Sequence, residues 1–510
     1  MLIQKFLNIS FINVLIKFFG YLRDMIVAFF FGTNAKSEVF FALFELQNLF
    51  SIFIHPLNFE KNFINIYLNL KLKFKKLQFL FAKSIFLLFS LIIFIVGILV
   101  LYNLDFILSI LYPGFVNRID FVFFEKVTRL IIIYNVINFI FVFLSSILQS
   151  ERKLILNAIC LLIPNFFFLI YSLIIFFFYD FNLLIDYFGL FLILTSLTQI
   201  SLIIFFGELN IKKIFSYKIK INEIKKYNIY FLKDYSYSFY YLLCFKSFFI
   251  IKSYFLSYFT GFISFFYFSE RIVYLPSTIL TTALTVILLP EIIISKKLFS
   301  KKKIINFFLI SIKISFFFML PITFFIYMNS EIIINILFLR GQFGEDSMLM
   351  TSEIFKIESI SLVFLSLINV FYIFFIFLKK HIILLKGIFY SIVITSISMY
   401  IFSLQNKPEF FAYSFVFYNF FQICYNIYYL DSDYKKVFWN FLNDIKTPLL
   451  VLLFSSAILE ILKHYFVINN LVFLIISLLF FLVLIILFVR NYNDKDIILF
   501  LNLIKKKLNI

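Results

Sequence analysis

The sequence predicts an all-α polytopic membrane protein with fourteen transmembrane helices. Three observations carry this. Hydrophobic residues make up 63% of the 510 and charged residues only 14%, with a mean hydropathy of +1.03, far more apolar surface than a soluble core can hide. Fourteen stretches are long enough to cross a bilayer, which takes roughly 20 apolar residues. The loops between them alternate in positive charge, as membrane topology requires.

The stretches lie near 6–31, 38–66, 77–102, 127–149, 154–179, 183–206, 234–258, 262–294, 304–328, 347–378, 382–404, 409–430, 446–467 and 469–489. Long continuous apolar runs exclude a spanning barrel, whose strands are short and alternating. Pro164, Pro276, Pro290 and Pro321 lie inside spans and are the expected kink points. With the N-terminus inside, cytoplasmic loops include "KLKFKK" (71–76), "KKIFSYKIKINEIKK" (212–226), "KKLFSKKK" (296–303) and the tail "KKK" (505–507). Thirty of the 46 lysines and arginines fall on that side, six on the other, and ten within or at the edges of spans. Both termini are therefore expected in the cytoplasm.

The same topology accounts for the net charge of +19. No basic stripe on a soluble fold points to nucleic acid. Cys160, Cys244 and Cys424 lack CxxC spacing and read as small hydrophobes. His55, His381 and His464 are scattered, without the spacing of a zinc site. No cofactor is implied. The first apolar segment lacks a small-residue cleavage site and is interrupted by Arg23 and Asp24, so no cleavable signal peptide is expected. With 84 phenylalanines, an aromatic stripe carries little information and reads as lipid-facing bulk.

The basic loop 207–233 divides the chain: residues 1–206 as the first lobe, 234–430 as the second, and 431–510 as the last two spans and tail. "FFALFE" (40–45) and "FFYFSE" (265–270) share a frame, and each follows a short loop containing Gly and Thr. Internal repeats of this kind are common in transporters.

Charges inside spans are costly and usually face a protein interior or a watery cavity. Lys17, Arg23 and Asp24 interrupt the first span in "KFFGYLRDMIVAFFFG" (17–32). Six residues separate Lys17 from Arg23, about 240° around the helix, so they do not share a stripe. Arg271, beside Glu270, interrupts span 8; Lys246 and Lys252 interrupt span 7. A Glu–Arg or Arg–Asp pair between helices is the structural reading. A cationic cavity for an anion, with phosphate the natural partner, is the functional one. Lys83 and Lys313 are placed to reach the interface. Lys356 is spaced to pair with Glu353, and Glu358 follows in the same span.

The stretch "KFFGYLRDMIVAFFFGTNAKSEVFFALFELQNL" (17–49) resembles the N-terminal signature of the MurJ/MviN lipid II flippase family, through Gly20, Arg23, Asp24, Ala28, Gly32, Phe40, Phe41, Ala42, Phe44, Leu46, Asn48 and Leu49. "SSILQSERKLILNA" (145–158), "YFSERIVYLPSTILTTALTVILLP" (267–290) and "FLRGQF" (338–343) are similar to further family elements. The resemblance implies export of the undecaprenyl-diphosphate-linked peptidoglycan precursor across the bacterial cytoplasmic membrane by alternating access. It implies two six-helix lobes around a cationic central cavity, followed by two C-terminal helices that form a polyprenyl-tail groove. Arg23 and Arg271 stand at the family's diphosphate-contacting arginines, Lys17 at another arginine, and Glu38 at a functional aspartate; Asp24, Lys246 and Lys252 complete the expected substrate-binding set. The chain departs from the pattern where Ser51 and Ile52 replace a basic pair and Glu45 replaces a lysine.

The implied partners are the lipid-linked disaccharide-peptide, membrane lipids and cell-wall synthesis machinery. No Walker A sequence is present, so energy would come from the membrane potential or an ion gradient. A related polysaccharide or multidrug exporter would have twelve spans and, for a drug pump, an acidic cavity. A polyprenyl-dependent glycosyltransferase needs clustered acidic residues; the outer loop 103–126 has only Asp105, Asp120 and Glu125, widely spaced.

Overall fold

The computed structural model describes residues 2–55, 59–118, 121–178, 183–209, 211–217, 221–297, 301–378, 380–465 and 470–491. The basic tail and the ends of several loops fall outside them. The described chain is helical and contains no strand. It divides into two compact units, residues 1–263 and 264–510.

The first unit contains α1 (Leu2–Phe31), α2 (Ala35–Phe50), α3 (Phe59–Lys73), α4 (Lys75–Tyr102), α5 (Leu104–Leu111), α6 (Phe121–Ser150), α7 (Leu154–Phe178), α8 (Leu183–Asp186), α9 (Phe188–Phe206), α10 (Ile211–Ser216) and α11 (Ile221–Leu256). α1 stops at Gly32, whose φ of 56° suits only glycine well. Asn34 then caps α2, its Oδ1 accepting from the N–H groups of Lys36 at 3.0 Å and Ser37 at 3.2 Å. The second predicted span is broken. α2 gives way to a 3-10 turn at Ser51–Ile54 before α3 resumes the crossing.

α1 packs on α7, α6 on α9, and α2, α3 and α4 on α6. α11, which the sequence assigned to the second lobe, packs on α3, α4 and α5. The aromatics are not mere lipid-facing bulk. Phe59, Phe63, Phe81, Phe89 and Phe139 are almost wholly buried. Their rings meet edge-on or offset, as in Phe59 with Phe139 at 5.6 Å. A chain with few alanines and glycines fills the spaces between its helices with rings instead.

The second unit contains α12 (Phe262–Lys297, its first two residues in the preceding unit), α13 (Lys301–Phe338), α14 (Glu345–Ser359), α15 (Ser361–Phe377), α16 (His381–Leu404), α17 (Phe411–Tyr428), α18 (Ser432–Tyr465) and α19 (Asn470–Asn491). α13 packs on α14, α15, α18 and α19, and α16 pairs with α17. α14 and α15 meet at a 45° bend within one predicted span. Non-helical dihedrals inside α13 fall at Asn329, not at Pro321. Asn329 is fully buried and accepts a hydrogen bond from Ser477 of α19 at 3.3 Å, so the irregularity serves a polar contact.

The described residues of each of the fourteen apolar stretches fall on a helix or on consecutive helices. Eight described stretches are long and apolar enough to cross a membrane, and the bent pair makes a ninth; the predicted count is compatible with this. Gly261, in the turn before α12, has φ of 85°, matching Gly32 before α2. The two turns that suggested a repeat thus use the same backbone device.

Candidate functional site

In the first unit, Arg23 and Asp24 lie past the middle of α1 and are buried. Arg23 Nε and Nη2 both donate to Asp24 Oδ1, at 3.0 and 2.7 Å. The guanidinium also lies 4.3 Å from the centroid of Phe44 on α2, and its Nη1 is 3.5 Å from Asn165 Oδ1 on α7. Asn165 in turn donates to Ile16 O at 3.1 Å. The sequence offered a pair between helices. The structure makes it between neighbours on one helix, and α2 and α7 hold the arginine in place. Lys17 is exposed on a different stripe of α1.

Glu38 enters α2 in its first turn and has no exposure at all. Arg118 Nη2 lies 3.6 Å from its Oε2. The backbone N–H groups of Gly261 and Ile263, at the start of α12, face the same carboxylate. Arg118 also donates through Nε to Gly114 O at 3.1 Å and through Nη2 to Ser257 O, and Gly114 N donates to Ser257 Oγ at 3.1 Å. A Cβ on Gly114 would lie 2.0 Å from Ser257 O, so only glycine lets the two backbones approach this closely. The sequence counted Arg118 as a loop cation; its link to Glu38 across 80 residues leaves no local signal.

Glu45 Oε2 accepts from Tyr112 OH at 3.2 Å and from Ser253 Oγ of α11. Lys246 is close enough for its charge to act on Glu45. Lys252, one turn and a half further along α11, is buried, with its Nζ 5.3 Å from the Phe249 centroid. Where the family pattern has a basic pair, Ser51 and Ile52 lie in the 3-10 turn, with Ile52 buried. The structure therefore brings together Arg23 with Asp24, and Lys246 with Glu45, and leaves Lys17 apart.

In the second unit, Arg271 is exposed on α12 while Glu270 beside it is buried. Ser269 Oγ donates to the fully buried Glu358 of α14 at 2.5 Å. Tyr274, one turn after Arg271, lies within electrostatic reach of Glu270 and Glu358. Lys356 does not pair with Glu353 among the described residues; its Nζ lies 4.7 Å from the Tyr327 centroid. Lys313 is buried in α13 rather than extended to an interface.

The lipid II flippase MurJ family model matches residues 27–493. A probable lipid II flippase MurJ from Aquifex aeolicus (strain VF5) is 25% identical over 356 residues, covering 69% of this chain and 68% of that protein. A solved lipid II flippase MurJ in an inward closed conformation superposes with a TM-score of 0.73 at 18% identity, covering 95% of this chain and 98% of the other. An inward-facing multidrug resistance MATE family transporter of the MOP superfamily follows at 0.65 and 14% identity, covering 81% and 93%. The structural likenesses are of fold. The family match begins in α1 just after the buried arginine-aspartate pair and runs through the capped entry to α2 and nearly all that follows, and on that extent the chain belongs to the lipid II flippase MurJ family.

Proposed function

We propose that Arg23 and Arg271 meet the diphosphate of the lipid II that this flippase carries from the inner to the outer leaflet of the bacterial cytoplasmic membrane. The observation that carries the reading is the setting of Arg23. A guanidinium inside an apolar helix is costly unless paired. Here the Asp24 carboxylate, the Phe44 ring face and Asn165 hold it, and its planar fork matches phosphate oxygens bidentately. Asp24 keeps the charge balanced while no headgroup is present. A diphosphate brings more negative charge than one arginine offsets, and Arg271, Lys246 and Lys252 supply the remainder. Glu38 acts at a distance from the phosphate, through Arg118.

Transport is by alternating access, driven by the membrane potential or an ion gradient. Both termini face the cytoplasm, and the chain works alongside the cell-wall synthesis machinery. Arg23→Ala and Arg271→Ala each fail to complement a flippase-depleted bacterium while still inserting, and lipid II accumulates in the inner leaflet. Normal growth of both variants overturns the assignment.

A further inference from the structure

The second unit carries a groove of about 360 Å³ where α16 and α17 pack together. Tyr390, Ile394, Phe421, Tyr425 and Tyr428 line it. Gly387 makes it possible: a Cβ there would lie 2.9 Å from Tyr425 Cδ1, so a larger residue pushes that ring off α16. The rings run in series, Tyr390 to Tyr425 at 5.5 Å and Tyr425 to Tyr429 at 4.6 Å. Tyr428 is 70% exposed and Tyr390 52%. The groove runs from the end of α17, at Tyr428, to Ile394 near the middle of α16, so its Tyr428 end points toward the helix termini, where headgroups lie. Tyrosines gather at that level with the ring in hydrocarbon and the hydroxyl among polar groups.

Charge selects the occupant. Lys435, in the first turn of α18, places its Nζ 5.2 Å from the Tyr428 centroid. Lys386 is exposed on α16 four residues before Tyr390, on the same face. Among the described residues neither lysine is in an ion pair, whereas Lys380 is committed to Asp431 at 2.6 Å. Asp433 stands against Lys386, Lys435 and Lys436, so the segment stays net positive. A ring face already carrying an ammonium repels a second cation, which excludes an aromatic cage for a quaternary amine. An anion gains from both lysines and from tyrosine hydroxyls as donors.

We propose that this groove holds an anionic phospholipid, its acyl chain along Ile394 and Phe421 and its phosphate at the Lys386 and Lys435 end. The single tryptophan reports on it: Trp439 is exposed, one turn beyond Lys435 on α18. The full chain is placed in phosphatidylethanolamine vesicles, and Trp439 fluorescence is quenched with brominated phosphatidylglycerol or brominated phosphatidylethanolamine. Brominated phosphatidylglycerol reaches half-maximal quenching at a mole fraction roughly fivefold lower, the preference one lysine gives at a membrane surface. Lys386→Gln/Lys435→Gln removes that preference and leaves quenching by brominated phosphatidylethanolamine unchanged, which also shows that the variant is folded. Equal curves for the parent chain, or a preference that survives the double substitution, overturn the proposal. So does competition by inorganic phosphate, which would make the ligand a free anion.

Discussion

The two units place their proposed phosphate-binding arginines differently. In the first, the buried carboxylates Asp24 and Glu38 each have an arginine, and Glu45 has Lys246 within reach. In the second, Glu358 is as deeply buried as Asp24 and accepts a hydrogen bond from Ser269, while Arg271 is exposed where Arg23 is buried. Removing one partner of a buried ion pair strands the other charge, at about 3–5 kcal/mol. A charge pair at an exposed side chain is worth less, about 1 kcal/mol or below, because solvent screens it. Two arginines with the same proposed task therefore have unequal structural weight.

The largest expected effect follows from that inequality. Arg23→Ala leaves Asp24 buried without its cation and lowers stability by about 3–5 kcal/mol. Arg271→Ala, at an exposed position, lowers it by less, about 1 kcal/mol or below. Thermal unfolding of the two purified variants in detergent measures the difference. Arg23→Ala/Asp24→Ala recovers much of the lost stability and still does not support growth, because the phosphate contact is gone. Equal destabilisation by Arg23→Ala and Arg271→Ala breaks the comparison.

Next comes the clamp around Glu38. Arg118→Ala strands that carboxylate and costs about 3 kcal/mol. Adding Glu38→Gln gives a total smaller than the sum of the two single effects, since the substitutions share one interaction. Gly114→Ala forces a methyl onto Ser257 O and costs about 1–3 kcal/mol through displaced backbone. A double-mutant cycle on unfolding checks the first pair, and additive effects would sever Glu38 from Arg118.

The residues differ in how readable they were. The helical class and the positions of the apolar stretches follow from composition and loop charge, because spanning length and the cost of unpaired backbone in lipid leave few alternatives. Arg23 and Asp24 stood out because they interrupt an apolar run. The partners did not: Asn165 comes from α7, and Arg118 and Ser257 come from turns far along the chain. Pairings set by helix packing leave no periodicity to read. The 3-10 break after Phe50 was hidden for a similar reason, since Ser51 and Ile52 have no sequence mark of a turn. Asn329 escaped because a proline eight residues earlier was the conventional place to look for a break.

The smallest effect sharpens the contrast from the solvent side. Lys153 Nζ lies 2.5 Å from Glu208 Oε2, just beyond the end of α9. The hydrogen bond and charge of Lys153 hold the Glu208 carboxyl below its ordinary value of 4.5. A carboxyl whose folded value is depressed adds stability above its unfolded value, and loses it as pH falls through the folded one. The parent chain should therefore exceed Glu208→Gln slightly at neutral pH, and the gap should close as pH falls below about 4.5. About 1 M salt should close it too, because the Debye length falls to about 3 Å and the pair is exposed. Thermal unfolding of parent and variant across pH and salt measures this. The Arg23–Asp24 pair, buried on both sides, should keep its effect in the same salt. If salt erased both effects equally, burial would not be what separates a charge that holds α1 together from one that merely decorates a loop.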